Sequence, residues 1–434
     1  MRRALLILTL AAGWSARPAA GQLRLTVADA MSRARADHPQ LNGVRADRRG
    51  AEADARGSLA AYLPRVNTEW MVMRTDDPVA VFGSKLRQGI FAGPDLALDA
   101  LNQPAAVSNA SLSLTVEQPL IAPEGWFGRR AALAGVEAGR LAESRAAQMT
   151  AFDGLRTYFA AVLADARIAV LDTALVAARR TLEQVQALRR EGVVTAVDEQ
   201  LALARVSELE AGRLMADAER VAAQDQLLLA IGEMPGQTVD LVDGLTVDSV
   251  AAAEGERLDL AARRKALDAL DANLKRVSSQ RLPNVGAFGT LNYNDANLGT
   301  LGGPRHWTAG VVVRWSPFRG LQDVAAADRA RAERDRGRAD LAAAEREAAS
   351  EVRAAEARAG AARAAVAAAT RALEHSEQAA RIAATRYASG VATITELLAV
   401  RSAEAAQRLS RLQALYHARV AQAYLAVARG GDPR

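Results

Sequence analysis

The stretch RYASGVATITELL (residues 386–398) joins two long alanine-rich segments, and RREGVVTAVDEQL (residues 189–201) does the same earlier in the chain. In each, a glycine (Gly390 or Gly192) ends the incoming helix, as expected of a residue that enters the left-handed conformation without a Cβ penalty. Three residues on stands a threonine and three further an acid, giving Thr393-Ile-Thr-Glu396 and Thr195-Ala-Val-Asp198. A hydroxyl and an acid at that spacing predict a capping box, with the acid at the positive end of the outgoing helix. Both stretches read as the tip of a helical hairpin.

Working outward, the same offset recurs. Gly192 and Gly390 stand 198 positions apart, and so do Pro119 and Pro317. A third landmark is Leu63-Pro64-Arg65-Val66 against Leu282-Pro283-Asn284-Val285, with a longer segment following it in the first half. The chain is therefore written twice, each half reading helix, strand, loop, strand, long helix, turn, helix. The first repeat covers 22–231, with strands at about 64–74 and 106–118. A Gly/Pro/Asp-containing linker covers 232–256. The second repeat covers 257–430, with strands at about 283–294 and 305–316. Pro64, Pro119, Pro283 and Pro317 mark the junctions between helix and strand.

The strands alternate. Trp307, Ala309, Val311, Val313 and Trp315 fall on one face, with Thr308, Gly310 and Arg314 on the other. Eight residues separate the two tryptophans, roughly 27 Å along a strand. Trp70 lies on the apolar face of the first strand, with Val66 and Val72. Tryptophans so placed suit the interfaces of a membrane strand, and an ordinary half-buried sheet would read the same way. Four strands cannot close a membrane barrel, and open strand edges are excluded from lipid. Strands in a membrane would have to be pooled between copies, three copies giving twelve.

The long segments are helical by period, with Phe152, Leu155, Phe159 and Val162, then Leu171, Leu175, Ala178, Leu182 and Val185. A helix filling most of the span from Pro119 to Gly192 would be about 100 Å long.

The remaining features exclude more than they assign. Residues 1–21 combine a basic start, a short apolar run and small residues, the pattern of a secretory signal peptide with cleavage near Gly21–Gln22. There is no cysteine, so neither a disulfide nor a thiolate metal site is expected. The net charge of +5 becomes nearly balanced once Arg2, Arg3 and Arg17 leave with the leader, and only 4% of residues are aromatic. A nucleic-acid partner is not expected. His38, His306, His375 and His417 lie far apart, without metal-ligand spacing. No phosphate loop, nucleophile elbow or catalytic carboxylate pair is present, so neither a cofactor nor an enzymatic activity is expected.

The doubled pattern of strand, proline, long helix, glycine turn, threonine, acid and helix resembles the TolC family of outer-membrane efflux and secretion channels, and RYASGVATITELL is its most specific part. That resemblance covers nearly the whole mature chain. It implies a mainly α fold with membrane β: a homotrimer sharing one twelve-stranded barrel in outer-membrane lipid, continued by a long α-helical barrel in the periplasm. It further implies a periplasmic adaptor (membrane fusion protein) and an inner-membrane pump as partners. By position, Asp198 and Tyr387 resemble a closing pair between neighbouring hairpins, and Glu396 an acidic lumen residue of the tip gate. Ala392 and Ala399 stand where some members carry a linking arginine and a second acid, implying fewer ties and a weaker cation trap. Residues 74–106 would form an extracellular loop, for which constriction of the mouth is one reading and passive surface the favoured one, and the loop around Gly299–His306 reads the same way.

The function so implied is a passive exit duct for small molecules expelled by a tripartite efflux system. Type I protein secretion and metal efflux use ducts of the same architecture. A soluble periplasmic coiled-coil scaffold or adaptor is the alternative of a different class. It explains the leader and the helices but not the recurrence of strands in each half.

Overall fold

Alanine and the unbranched side chains Leu, Glu and Arg lose little freedom in a helix, and long runs of them form the longest elements here. The structure, a computed structural model, describes residues 23–246, 254–297 and 302–433. The leader, its cleavage point, part of the linker and part of the loop around Gly299 lie outside the described residues. In chain order the elements are β1 (Leu23–Leu25), α1 (Val27–Asp37), α2 (Pro39–Gly57), β2 (Arg65–Thr75), α3 (Pro78–Arg87), α4 (Leu98–Asn102), β3 (Val107–Ile121), α5 (Pro123–Arg190), α6 (Ala196–Ala230), β4 (Val239–Leu241), α7 (Leu258–Ser279), β5 (Asn284–Asp295), β6 (Arg305–Arg314), α8 (Gln322–Ala388) and α9 (Ile394–Ala428). The repeat is visible in the lengths: α5 and α8 have 68 and 67 residues, and α6 and α9 have 35 each.

Three junctions differ from the sequence expectation. The helix before Leu63-Pro64 is broken in two, because Pro39 disfavours helical geometry at His38 (φ −64°, ψ 127°) and α1 stops at Asp37. Pro119 does not end its strand. The ladder with β2 has finished at Glu117, the ladder with β5 shifts register between Pro119 and Ile121, and the strand runs on to Ile121. It is Pro123 that opens α5, at a position where a helix needs no amide hydrogen. Pro317 likewise lies in the connection before α8, which begins only after Gly320 and Leu321 have taken positive φ. Pro64 and Pro283 do stand directly before β2 and β5.

The chain divides into two compact units, to both of which α5 and α8 contribute. One gathers the described residues of Met1–Val44, Glu143–Leu258 and Arg346–Arg434. Its main core joins Leu25, Ala30, Leu155, Tyr158, Phe159, Leu227, Leu228 and Val239. There β1 and β4 pair in parallel, Leu23 with Val239 and Leu25 with Leu241. Tyr158 fixes that pairing, donating its hydroxyl to the Leu25 carbonyl (3.2 Å) and accepting from the Asp243 amide (2.8 Å). Along the hairpins small and aliphatic side chains are buried at steps of three and four, as in Leu171, Leu175 and Ala178 of α5 and Val206 and Leu209 of α6.

The other unit contains Arg45–Ala142 and Asp259–Glu345. Its sheet has the order β2-β3-β5-β6, antiparallel throughout. The register aligns Thr68, Leu114, Leu291 and Trp307 in one row, and Asn67, Thr115, Thr290 and Thr308 in the next. Because neighbours along a strand alternate in direction, these rows belong to opposite faces.

Candidate functional site: hairpin tips and the sheet

At both tips the backbone has the same solution. Gly192 and Gly390 take φ of 76° and 74°. The glycine amide bonds to the carbonyl three residues back, Arg189 or Tyr387, at 3.0 Å. The next residue, Val193 or Val391, bonds to the carbonyl five back, Leu188 or Arg386, at 2.9 Å. This pair of bonds is the Schellman arrangement, which satisfies carbonyls that the helix end leaves unpaired.

The caps then diverge. At the first tip the box is complete: Asp198 N donates to Thr195 Oγ1 (3.3 Å), and Asp198 Oδ2 accepts from the Thr195 amide (2.7 Å) and hydroxyl (2.8 Å). Glu199 beside it accepts from Arg189 and Gln186. At the second tip only half the box forms. Glu396 N donates to Thr393 Oγ1 (3.2 Å), while the Glu396 carboxylate turns to Arg386 at 3.3 Å. An arginine in the last turn of α8 competes with the Thr393 amide for the same acid, and it wins. The complete capping box expected there is therefore half present.

Tyr387 lies between the two hairpins of the chain, 6% exposed, in a cluster with Val185, Ala202, Ala383, Ile394 and Leu397. Its hydroxyl is buried and has no hydrogen-bond partner among the described residues. Burial, and after it the negative charge of Asp198, push the phenol above its ordinary pKa. Asp198 and Tyr387 are thus brought within electrostatic reach, but the carboxylate is committed to Thr195 and no hydrogen bond joins them.

The sheet sorts its side chains by chemistry. One face carries Val66, Trp70 and Val72 of β2, Leu112, Leu114 and Val116 of β3, Leu291 of β5, and Trp307, Val311 and Val313 of β6. The opposite face carries mostly polar side chains, Asn67 and Glu69, Ser111, Ser113 and Thr115, Thr290, Asn292 and Asn294, then His306 and Thr308, with Met71, Met73, Phe288 and Val312 among them. Trp70 and Trp307 are 65% and 76% exposed, and Val66, Val311 and Val313 more than half exposed. An apolar surface of that extent and contiguity marks a site covered by something other than water. Trp70 stands at the middle of β2, while Trp315 lies past the end of β6 and donates its indole N–H to the Arg281 carbonyl at 3.0 Å. Among the described residues β2 and β6 each have one edge without a partner strand, and no helix is long and apolar enough to cross a membrane.

Two long helical hairpins and one sheet with an apolar and a polar face, to which each repeat gives one hairpin and two strands, define an outer-membrane channel of the TolC type. The chain belongs to the outer membrane efflux protein family, whose pattern matches residues 30–233 and 250–431. No curated protein sequence matches it. Among solved structures it is similar to a membrane protein from Pseudomonas aeruginosa, at 21% identity over 94% of this chain and 90% of that one, with a TM-score of 0.78. It is also similar to the outer membrane protein VceC from Vibrio cholerae, at 18% identity, 94% and 97% coverage and a TM-score of 0.78. A third is the open state of the MtrE outer membrane channel of Neisseria gonorrhoeae, at 18% identity, 94% and 90% coverage and a TM-score of 0.77.

Proposed function

We propose that the protein is the passive exit duct of a tripartite efflux system. Three copies close their four-stranded sheets into one twelve-stranded barrel in the outer membrane and align their hairpins as a helical channel in the periplasm. The observation that carries this reading is the sheet, with two unpaired edges and a continuous apolar face bearing Trp70 and Trp307. In lipid the edges must be paired, and the only partners of matching register are further copies of the same strands. The apolar face then meets the acyl chains and the polar face lines the lumen.

The tips of α5–α6 and α8–α9 are the ends that meet a periplasmic adaptor and, through it, an inner-membrane pump that supplies the energy. Val193 and Val391, both about two-thirds exposed and held by matching turns, give each tip an apolar contact point. Closure of the tip rests on the packed ring of Tyr387, with the capping Asp198 adding negative charge near it and Glu396 paired to Arg386. Cargo selection is weak, because the groove lined by Arg205, Arg401, Glu404 and Arg408 has its charges already paired, Arg401 with Glu404 and Arg408 with Glu377 at 2.9 Å each. Small molecules are the proposed cargo by analogy with the family, and a surface without a shaped pocket would discriminate little between them.

Outer-membrane fractionation followed by electrophoresis without boiling tests the proposal. A trimer-sized, heat-modifiable band supports it. A soluble periplasmic monomer or dimer would return the alternating strands to an ordinary sheet.

A further inference from the structure

Residues 76–106, between β2 and β3, read in the sequence as passive surface, and the structure gives them a fold. Asp77 caps α3 by accepting from the Ala80 amide at 2.8 Å. Phe82 packs edge-on against Phe91 at 5.0 Å, and Lys85 pairs with Asp95 at 2.7 Å. Val81, Ser84 and Gln88, spaced by three and four, form the buried side of the segment.

That side is fastened to the polar face of the sheet. Gln88 Nε2 donates to the Ser108 carbonyl (2.8 Å) and to Asn109 Oδ1 (2.9 Å). Asn109 Nδ2 in turn donates to Asn294 Oδ1 at 3.1 Å. The Arg87 carbonyl lies 2.9 Å from His306 Nε2. By register, Asn109 of β3, Asn294 of β5 and His306 of β6 all point to the polar face, at the end of the sheet where β2 finishes. Gln88, Asn109 and Asn294 are each at most 6% exposed. Buried amides are costly to desolvate, and a connected set of them specifies one position. A loop with no fixed position would not be held by two strands at once, β3 through Ser108 and Asn109 and β6 through His306, with Asn109 braced in turn by Asn294 of β5.

We infer that residues 76–106 are a lumenal cap. The inference rests on the proposed reading of the sheet as one third of a membrane barrel with its polar face inward. Given that reading, α3 lies over the lumen at the outer mouth and each copy narrows the exit. Gln88, Asn109 and His306 are the residues that position it.

The chain has no cysteine, so single thiols report cleanly. Leu98→Cys, on the exposed surface of the cap, reports whether the cap faces outside. Thr115→Cys lies six residues beyond Asn109 on the same face of β3, roughly 20 Å deeper. A polyethylene-glycol maleimide is added to intact cells. Leu98→Cys should label fast and Thr115→Cys about tenfold slower, since labelling follows the population of the open form. Adding Gln88→Ala and His306→Ala, or replacing residues 78–104 by a short Gly-Ser linker, should raise the Thr115→Cys rate about fivefold or more. An unchanged Thr115→Cys rate with Leu98→Cys still labelled overturns the cap and leaves the barrel standing. Leu98→Cys labelled only in lysed cells overturns the barrel reading and the cap with it.

Discussion

Glu396 is ion-paired with Arg386 across its own turn, 3.3 Å apart, and so leaves open the capping box that Asp198 closes with Thr195 in the other repeat. Two tips with the same backbone therefore differ in how their outgoing helices are held. Thr195→Ala removes both bonds of the Thr195 hydroxyl, leaving only its amide on the Asp198 carboxylate, and should cost the first tip about 1–2 kcal/mol of local stability, while Thr393→Ala loses one bond and should cost about 0.5–1 kcal/mol. Amide hydrogen exchange on peptides covering residues 195–201 and 393–399 measures both. Equal loss of protection would contradict the asymmetry.

The Arg386–Glu396 pair itself should contribute little. Both side chains are more than two-fifths exposed, and exposed pairs are worth about 0–1 kcal/mol and are screened by salt. Glu396→Gln is thus expected to change tip exchange less than Thr393→Ala does, and its own effect should shrink further as salt is raised.

Tyr387 separates packing from hydrogen bonding at the tip. Tyr387→Phe keeps the ring and deletes a buried hydroxyl that has no partner, so stability should hold or rise by up to about 1 kcal/mol, and single-channel conductance in planar bilayers should not change. Tyr387→Ala empties the space among Val185, Ala202, Ile394 and Leu397, which should cost about 3–5 kcal/mol and raise conductance. Raised conductance in the Phe variant would show that the hydroxyl is tied to Asp198 once the protein is assembled.

Gly390 and Gly192 face open space, so substitution there meets backbone strain alone. With φ near 75°, alanine should cost about 1–2 kcal/mol at either turn, and asparagine less. The order Gly, Asn, Ala in adaptor cross-linking yield checks the assignment of the turns. A Gly390→Ala variant that cross-links as well as the parent would contradict it.

Much of this was legible because the information is local or repeated. The strands showed in the alternation of Trp307 through Trp315, and the duplication in one offset shared by two prolines and two glycines. What was not legible depends on partners far apart in the chain. Leu23–Leu25 and Val239–Leu241 are too short to show a period, and they pair across more than 200 residues under Tyr158. Arg386 was visible as a residue, but its competition with Thr393 for Glu396 is decided by geometry across the turn. The Gln88–Asn109–Asn294 chain joins three segments with no shared motif. Pro119 misled because a strand can carry a proline at a bulge, and the better signal, Pro123 at the start of a helix, lay four residues on.

Glu351 gives the fold a predictable acid limit. Burial alone would raise its pKa, but donation from the Tyr424 hydroxyl (2.6 Å) and then from Arg257 (2.8 Å) outweighs burial and holds the carboxyl below its ordinary value. A carboxylate with a depressed folded-state pKa stabilises fully above its unfolded value, and that contribution is lost as pH falls through the folded one. The segments joined here, around Arg257, Glu351 and Tyr424, should therefore loosen below about pH 4.5. Glu351→Gln keeps the shape, removes the charge and should cost about 1 kcal/mol at neutral pH, allowing for partial solvent exposure. It should also flatten the acid limb when local exchange or limited proteolysis is followed from neutral to acid pH. An acid limb as steep in the Gln variant as in the parent would assign the loss to other carboxylates.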